Sequence, residues 1–243
     1  MNLPDGLLAD EWTVAAWLLF IPVLLLSLRR APLRRLAEAT QGNVWLGLVV
    51  MLTLLWRVKA GVRPGLSLHL LGASVFVLAC GPWLAFLGLC GVLAGVTLNG
   101  DAGWQGYALN ALLMAGVGVS VAYGVQRFVE RFLPAQFFVY IFANGFFGGA
   151  LAISAVGAAS SLLLAAAGVY PLDYVLGEYL PYVLLLGFSE AWLSGMVVTL
   201  AMLPIIFVTV PQVSNGEGGF EPSLTGTVST VAGNGVAGFS GDG

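Results

Sequence analysis

The chain has 243 residues, of which 59% are hydrophobic and 9% charged, with a mean hydropathy of +0.94. Soluble domains carry about 25% charged residues, so this composition excludes an ordinary soluble globule and points to an integral membrane protein. The net charge of −3, with no basic block beyond one short run, argues against nucleic acid as a partner.

A helical span needs roughly 20 apolar residues. In chain order the sequence predicts an all-α polytopic protein with spans near 12–28, 43–57, 67–80, 83–99, 105–124, 135–167 and 182–210. No basic residue precedes the first, and its positive charge follows it, which reads as a span and not a signal peptide. The third and fourth are short and joined by "CGP" (80–82), a tight hairpin. They carry Cys80 and Cys90, from which no disulfide framework follows. The sixth is long for one crossing and contains "ANGFFGGALA". Its Gly145, Gly148 and Gly149 kink it or admit a close neighbour. Seven spans are expected, or eight if that stretch splits.

Orientation follows the Lys and Arg of the short loops. Arg29, Arg30, Arg34 and Arg35 follow the first span and Arg127 and Arg131 the fifth, whereas Arg57, Lys59 and Arg63 follow the second. An extracytoplasmic N-terminus places six of these nine in the cytoplasm; the reverse places three. In that orientation the N-terminal "MNLPDGLL", His69, Asn110 and Glu190 all lie toward the outer leaflet. His69 is the one histidine of the chain. An imidazole in an apolar run is either an interhelical hydrogen bonder or a ligand.

The opening "MNLPDGLL" is similar to the "MHIPDGFL" start of the cobalt/nickel energy-coupling-factor (ECF) transporter permeases, the CbiM/NikM family. "GLSLHLLGA" resembles that family's histidine-bearing segment at the start of the third helix. "FFVYIFANGFFGGALA", "YPLDYVLGEYLP" and "FSEAWLSGMVVTL" look like segments of a proteobacterial branch of the same permeases. The resemblance covers residues 1 to about 210. It implies a substrate-binding component of the cell inner membrane, with no catalytic centre of its own. Its partners would be a transmembrane coupling subunit and ATP-binding subunits, and its cargo a divalent transition metal, nickel or cobalt, with no tightly bound cofactor. The family's ligands map onto Met1, position 2 and His69: the terminal amine, the amide nitrogen and side chain of the second residue, and the later imidazole. Such a planar nitrogen set suits Ni(II), Cu(II) or low-spin Co(II). This chain departs from the pattern at Asn2, which replaces a histidine and leaves a weak amide oxygen. The Met1 sulfur and Asp5 are possible substitutes. Asn110 and Glu190, with Asp5, are expected around the site, although helix–helix hydrogen bonding accounts equally well for Glu190 and better for Asn110.

Two other readings differ in class. Ser194 or Ser189 with His69 would make an intramembrane serine hydrolase, although the "WLSG" stretch does not match GxSxG. After about Val210 the composition turns polar and Gly-rich, and "VSTVAGNGVAGFSGDG" resembles the start of an NHL-type repeat. Residues 1–210 are therefore expected to form the transmembrane domain. Residues 211–243 are expected to be a tail that does not fold alone, since a blade needs four strands and a propeller several blades. A longer fusion would make the chain a membrane anchor for a propeller. No Walker motif is present, so any ATP hydrolysis falls to another chain.

Overall fold

A computed structural model describes residues 2–61 and 63–209, with side chains through residue 202. Seven α-helical rods are found among the described residues: α1 (Asp10–Arg30), α2 (Ala39–Leu55), α3 (Ala73–Cys80), α4 (Pro82–Leu98), α5 (Tyr107–Phe132), α6 (Phe137–Ala166) and α7 (Leu172–Met202, its backbone helical to Thr209). A single 3-10 stretch, Leu33–Ala37, links α1 to α2. Four rods, α1, α5, α6 and α7, are long and apolar enough to cross a bilayer. α2 and α4 have 17 residues each, or ~26 Å at 1.5 Å per residue, just short of a ~30 Å hydrocarbon core.

α1 complements its own macrodipole, with Asp10 and Glu11 in its first turn and Arg29 and Arg30 in its last. It presents Leu18, Leu19 and Leu25 outward and buries Ala16 and Phe20. α3 is different. Apart from Ser74 it is built of apolar or small residues all round, and such a helix is stable only inside other helices. Phe76 and Ala73 are fully buried, and Gly88 of α4 lies directly beneath the Phe76 ring, where a side chain would collide with it. Gly81 alone separates α3 from α4, and Pro82 opens α4, as the "CGP" hairpin predicts.

Each of the three long rods after α4 contains a π-helical stretch near its start: Ala111–Val117 in α5, Tyr140–Phe147 in α6 and Val175–Tyr179 in α7. The alternative in which 135–167 splits does not occur; α6 is one continuous helix whose glycines serve close packing. A Cβ on Gly145 would stand 3.3 Å from Gly195 Cα, and one on Gly149 would stand 2.8 Å from Ser194 Oγ. The pair Gly145/Gly149 is thus a small-residue face against α7. Gly95 likewise faces Thr53 of α2.

Two sequence expectations shift. The third span starts as a helix at Ala73, not at 67, because Ser67–Leu68 (β2) pairs antiparallel with Ala60–Gly61 (β1) and Gly72 has φ +73°. Glu190 lies midway along α7, whereas the sequence places it in the outer part of the seventh span. The helix begins at Leu172, 18 residues and roughly 27 Å before it. The tail 211–243 lies outside the described residues.

The two ends of the bundle differ. At one end sit the N-terminal segment, Arg57, Lys59 and Arg63, the 99–106 loop and the starts of α5 and α7. At the other end Arg30 covers the Trp83 ring at 5.3 Å and Gln41 reaches the Ala79 carbonyl at 3.3 Å.

Candidate functional site

Residues 2–8 are threaded into the first of these ends. Pro4 to Leu7 form a tight turn, the Leu7 N–H donating to the Pro4 carbonyl at 3.4 Å. Gly6, at φ +75°, takes the third position, where a type II turn requires positive φ. The turn sends Leu3 inward, where it is 1% exposed. Asn110, buried at the start of α5, closes on Leu3 from both sides: its Oδ1 accepts the Leu3 N–H at 2.8 Å and its Nδ2 donates to the Leu3 carbonyl at 3.0 Å. Asp5 Oδ1 accepts the Gly106 N–H at 2.9 Å. A side chain at Gly103 would run into the Asp5 carboxylate, so the loop passes close over it.

This stitching fixes Asn2. Its backbone N–H donates to Ser67 Oγ at 3.1 Å, and its side-chain Nδ2 lies 3.5 Å from the Asp101 carbonyl. Asn2 Oδ1 is buried and has no hydrogen-bond partner among the described residues. Around it, Lys59 Nζ donates to the Asp101 carbonyl at 3.1 Å, and Arg57 Nε lies 3.5 Å from the Asp101 carboxylate. The Asn99 amide, aided by these two cations, holds the Asp101 carboxyl below its usual pKa.

From Ser67 the chain runs extended between the helices toward the middle of α7. Tyr179 OH marks its entry, donating to the Ser67 carbonyl at 3.4 Å. His69 follows, 4% exposed, its ring 4.9 Å from that of Trp56 and its Nδ1 3.1 Å from the Leu70 carbonyl. A carbonyl only accepts, so this contact is a hydrogen bond in the tautomer that carries its hydrogen on Nδ1 and leaves the Nε2 lone pair free. At the bottom of the segment Glu190 takes two successive backbone amides: Leu71 N–H to Oε2 at 2.9 Å and Gly72 N–H to Oε1 at 2.6 Å. Trp56 Nε1 donates to the Leu71 carbonyl at 3.3 Å from the other side.

A family model described as the cobalt uptake substrate-specific transmembrane region matches residues 2–203. The chain belongs to this family. The cobalt transport protein CbiM of Anoxybacillus flavithermus (strain DSM 21510 / WK1) is 28% identical over 134 residues, 54% of this chain and 53% of that protein. The match therefore spans about half the length of that relative. A crystal structure of a truncated transition metal transporter superposes with a TM-score of 0.71 at 20% identity, covering 83% of this chain and 98% of the other. A second, of a transition metal transporter, also gives 0.71, at 21% identity over 83% and 92%. At such identity the likeness establishes the fold. Family membership and four bilayer-length apolar helices make the chain a membrane protein.

Of the candidate residues of this family member, the structure brings Asn2 against Ser67, two residues from His69, and places Asn110 and Asp5 as anchors of the N-terminal segment. Glu190 holds the backbone beyond His69. Met1 lies outside the described residues. No group of three His, Cys, Asp or Glu side chains is placed to hold a metal among the described residues. No hydrogen bond joins Ser194 or Ser189 to His69 among the described residues. Ser194 Oγ is 3.5 Å from Glu190 Oε1 and Ser189 Oγ bonds the Leu185 carbonyl at 3.4 Å, while His69 Nδ1 is taken by Leu70. Ser67, Trp56 and Asp101 escaped the sequence reading; the position of Ser67, one β-alternation before His69, is the signal that would have found it.

Proposed function

We propose that this chain is the substrate-binding membrane component of an ECF-type ABC transporter, bringing a divalent transition metal across the cell inner membrane. Cobalt and nickel are the expected cargo, and a coupling subunit with ATP-binding subunits supplies the energy. The observation that carries this reading is the anchoring of Leu3 by Asn110, which sets the Asn2 backbone nitrogen on Ser67, beside the segment bearing His69. The donor set is the Met1 amine, the Asn2 amide nitrogen and His69 Nε2, a nitrogen-rich set matched to Ni(II), Cu(II) and low-spin Co(II). Loading exchanges the Asn2 N–H···Ser67 bond for a metal–nitrogen bond and releases that proton. Asn2 Oδ1, buried and unpaired, adds one weak oxygen where relatives of the resembling pattern carry an imidazole. The site is therefore a weakened version of the family's.

Seven crossings with the N-terminus outside fit this reading. The end carrying the site has three of the nine cations, and the opposite end, with Arg29, Arg30, Arg34, Arg35, Arg127 and Arg131, has six.

The test is native mass spectrometry and titration of the purified full chain with Co(II), Ni(II), Zn(II) and Cu(II) in turn. His69→Ala and a one-residue N-terminal extension should each abolish binding. Asn2→His should raise Ni(II) affinity more than tenfold, over ~1.4 kcal/mol. If Asn2→His changes nothing and the extended protein still binds metal, the reading fails.

A further inference from the structure

Glu190 is 1% exposed and sits halfway along an apolar helix. Taking a carboxylate out of water costs several kcal/mol, so its retention calls for more than a tie between helices. Its partners are specific: two consecutive backbone N–H groups, with Ser194 Oγ 3.5 Å away as a third donor. The two successive amides converge on this one carboxyl group, and Gly72, at φ +73°, turns the chain into α3 directly after them.

The Leu71 N–H that Glu190 accepts belongs to the same planar peptide unit as the Leu70 carbonyl that His69 Nδ1 donates to. The described residues contain no cis peptide, so the two groups point in opposite directions. A continuous line of hydrogen bonds therefore runs from Glu190 Oε2 to the Leu71 N–H, across the peptide to the Leu70 carbonyl, and on to His69 Nδ1–H. We infer that Glu190 is a positioning residue that selects the Nδ1–H tautomer of His69 through this one intervening peptide. In metal sites a carboxylate commonly orients a histidine directly through its second nitrogen. Here the same task is done one peptide away.

Three physical effects combine. A hydrogen-bond acceptor at the N–H end of a peptide strengthens the acceptor at its carbonyl end, because aligned hydrogen bonds polarise one another. The bidentate hold on Leu71 and Gly72 stops that peptide plane from rotating. Trp56 pins the Leu71 carbonyl and lies against the imidazole, so the ring cannot turn away. The result is an Nε2 lone pair held in one direction. That this lone pair meets the cargo rests on the function proposed above; the tautomer selection itself does not.

The single histidine makes the experiment clean, since ring-15N-histidine labelling of the full chain in micelles reports His69 alone. Metal-free wild type should show a proton on Nδ1 and a pyridine-like Nε2. Glu190→Gln keeps one acceptor but turns an NH2 toward a backbone N–H. It should yield a tautomer mixture with at least a tenth of the Nε2–H form, and Ni(II) affinity in the same sample should drop at least tenfold. Glu190→Asp, too short to reach both amides, carries the same expectation if the Gln variant does not fold. A wild-type His69 with its proton on Nε2 overturns the inference, as does a folded variant with lowered melting temperature but an unchanged tautomer ratio. If wild type binds no metal while the tautomer shifts in Glu190→Gln, the transport reading falls and the positioning role stands.

Discussion

Asn110 and Leu3, 107 residues apart, form a closed ring of two hydrogen bonds in which one amide side chain satisfies both backbone groups of a buried residue. Asn110→Ala strands the Leu3 N–H and carbonyl without partners. At about 1–3 kcal/mol for each buried unsatisfied group, the cost for the two should be roughly 2–6 kcal/mol. Asn110→Asp should not rescue it, because it presents an oxygen to the Leu3 carbonyl. Thermal unfolding measures the cost, and aminopeptidase digestion reports release of residues 2–8. Wild-type resistance to digestion in the Ala variant would refute the anchoring role.

Acid should act on the 99–106 loop through Asp101. Its pKa is depressed in the folded chain, so its favourable contribution is present above the ordinary carboxylate range and is lost as the pH falls from that range through the lower folded pKa. Asn99→Ala removes the main cause and should move the Asp101 titration upward, as seen by carboxyl NMR. Raising the salt should weaken the part due to Arg57 and Lys59 and leave the Asn99 part.

Packing of α6 on α7 depends on the absence of a side chain at Gly149, where a Cβ would meet Ser194 Oγ at 2.8 Å and the Glu190 carbonyl at 3.3 Å. Gly149→Val should destabilise the protein by about 1–3 kcal/mol, in line with overpacking elsewhere. Gly177→Ala, with nothing within 4 Å, is the control and should be near neutral. Equal melting temperatures for the two variants would contradict this packing.

Reporter fusions within residues 31–38 should read as cytoplasmic and fusions within 99–103 as extracytoplasmic. The reverse pattern would invert the proposed topology and place the site on the cytoplasmic side.

Much of the helical framework was legible because apolar runs and their interruptions are local signals: the Cys80-Gly81-Pro82 corner and the Gly145/Gly149 face both follow from short stretches. That Asn110 and the N-terminal segment lie at the same end of the bundle was legible only through charge bias and the resemblance. What escaped depends on the backbone's path between elements. The β1–β2 pairing, the left-handed Gly72 and the extended run from Ser67 to Leu71 lie in a stretch whose hydropathy is that of a helix. Glu190 was expected beside the site, but it acts on amides two and three residues beyond His69. No spacing rule reports a side chain that bonds the backbone of another segment.

The π-helical stretch Ala111–Val117 follows Asn110 directly. Such a stretch accommodates a residue that a regular α-helix over the same length would not. That surplus residue sets the angle between the two halves of α5, so Asn110 faces Leu3 while Gly118 faces Leu71 and Ala73. Deleting one residue here would relax the rod to an ordinary α-helix and turn its first turn by about 100° relative to the rest. The apolar sequence and the span length would be almost unchanged, yet the amide that holds the N-terminal segment would point elsewhere. Insertions and deletions in this rod are therefore far more damaging than substitutions of one apolar residue by another.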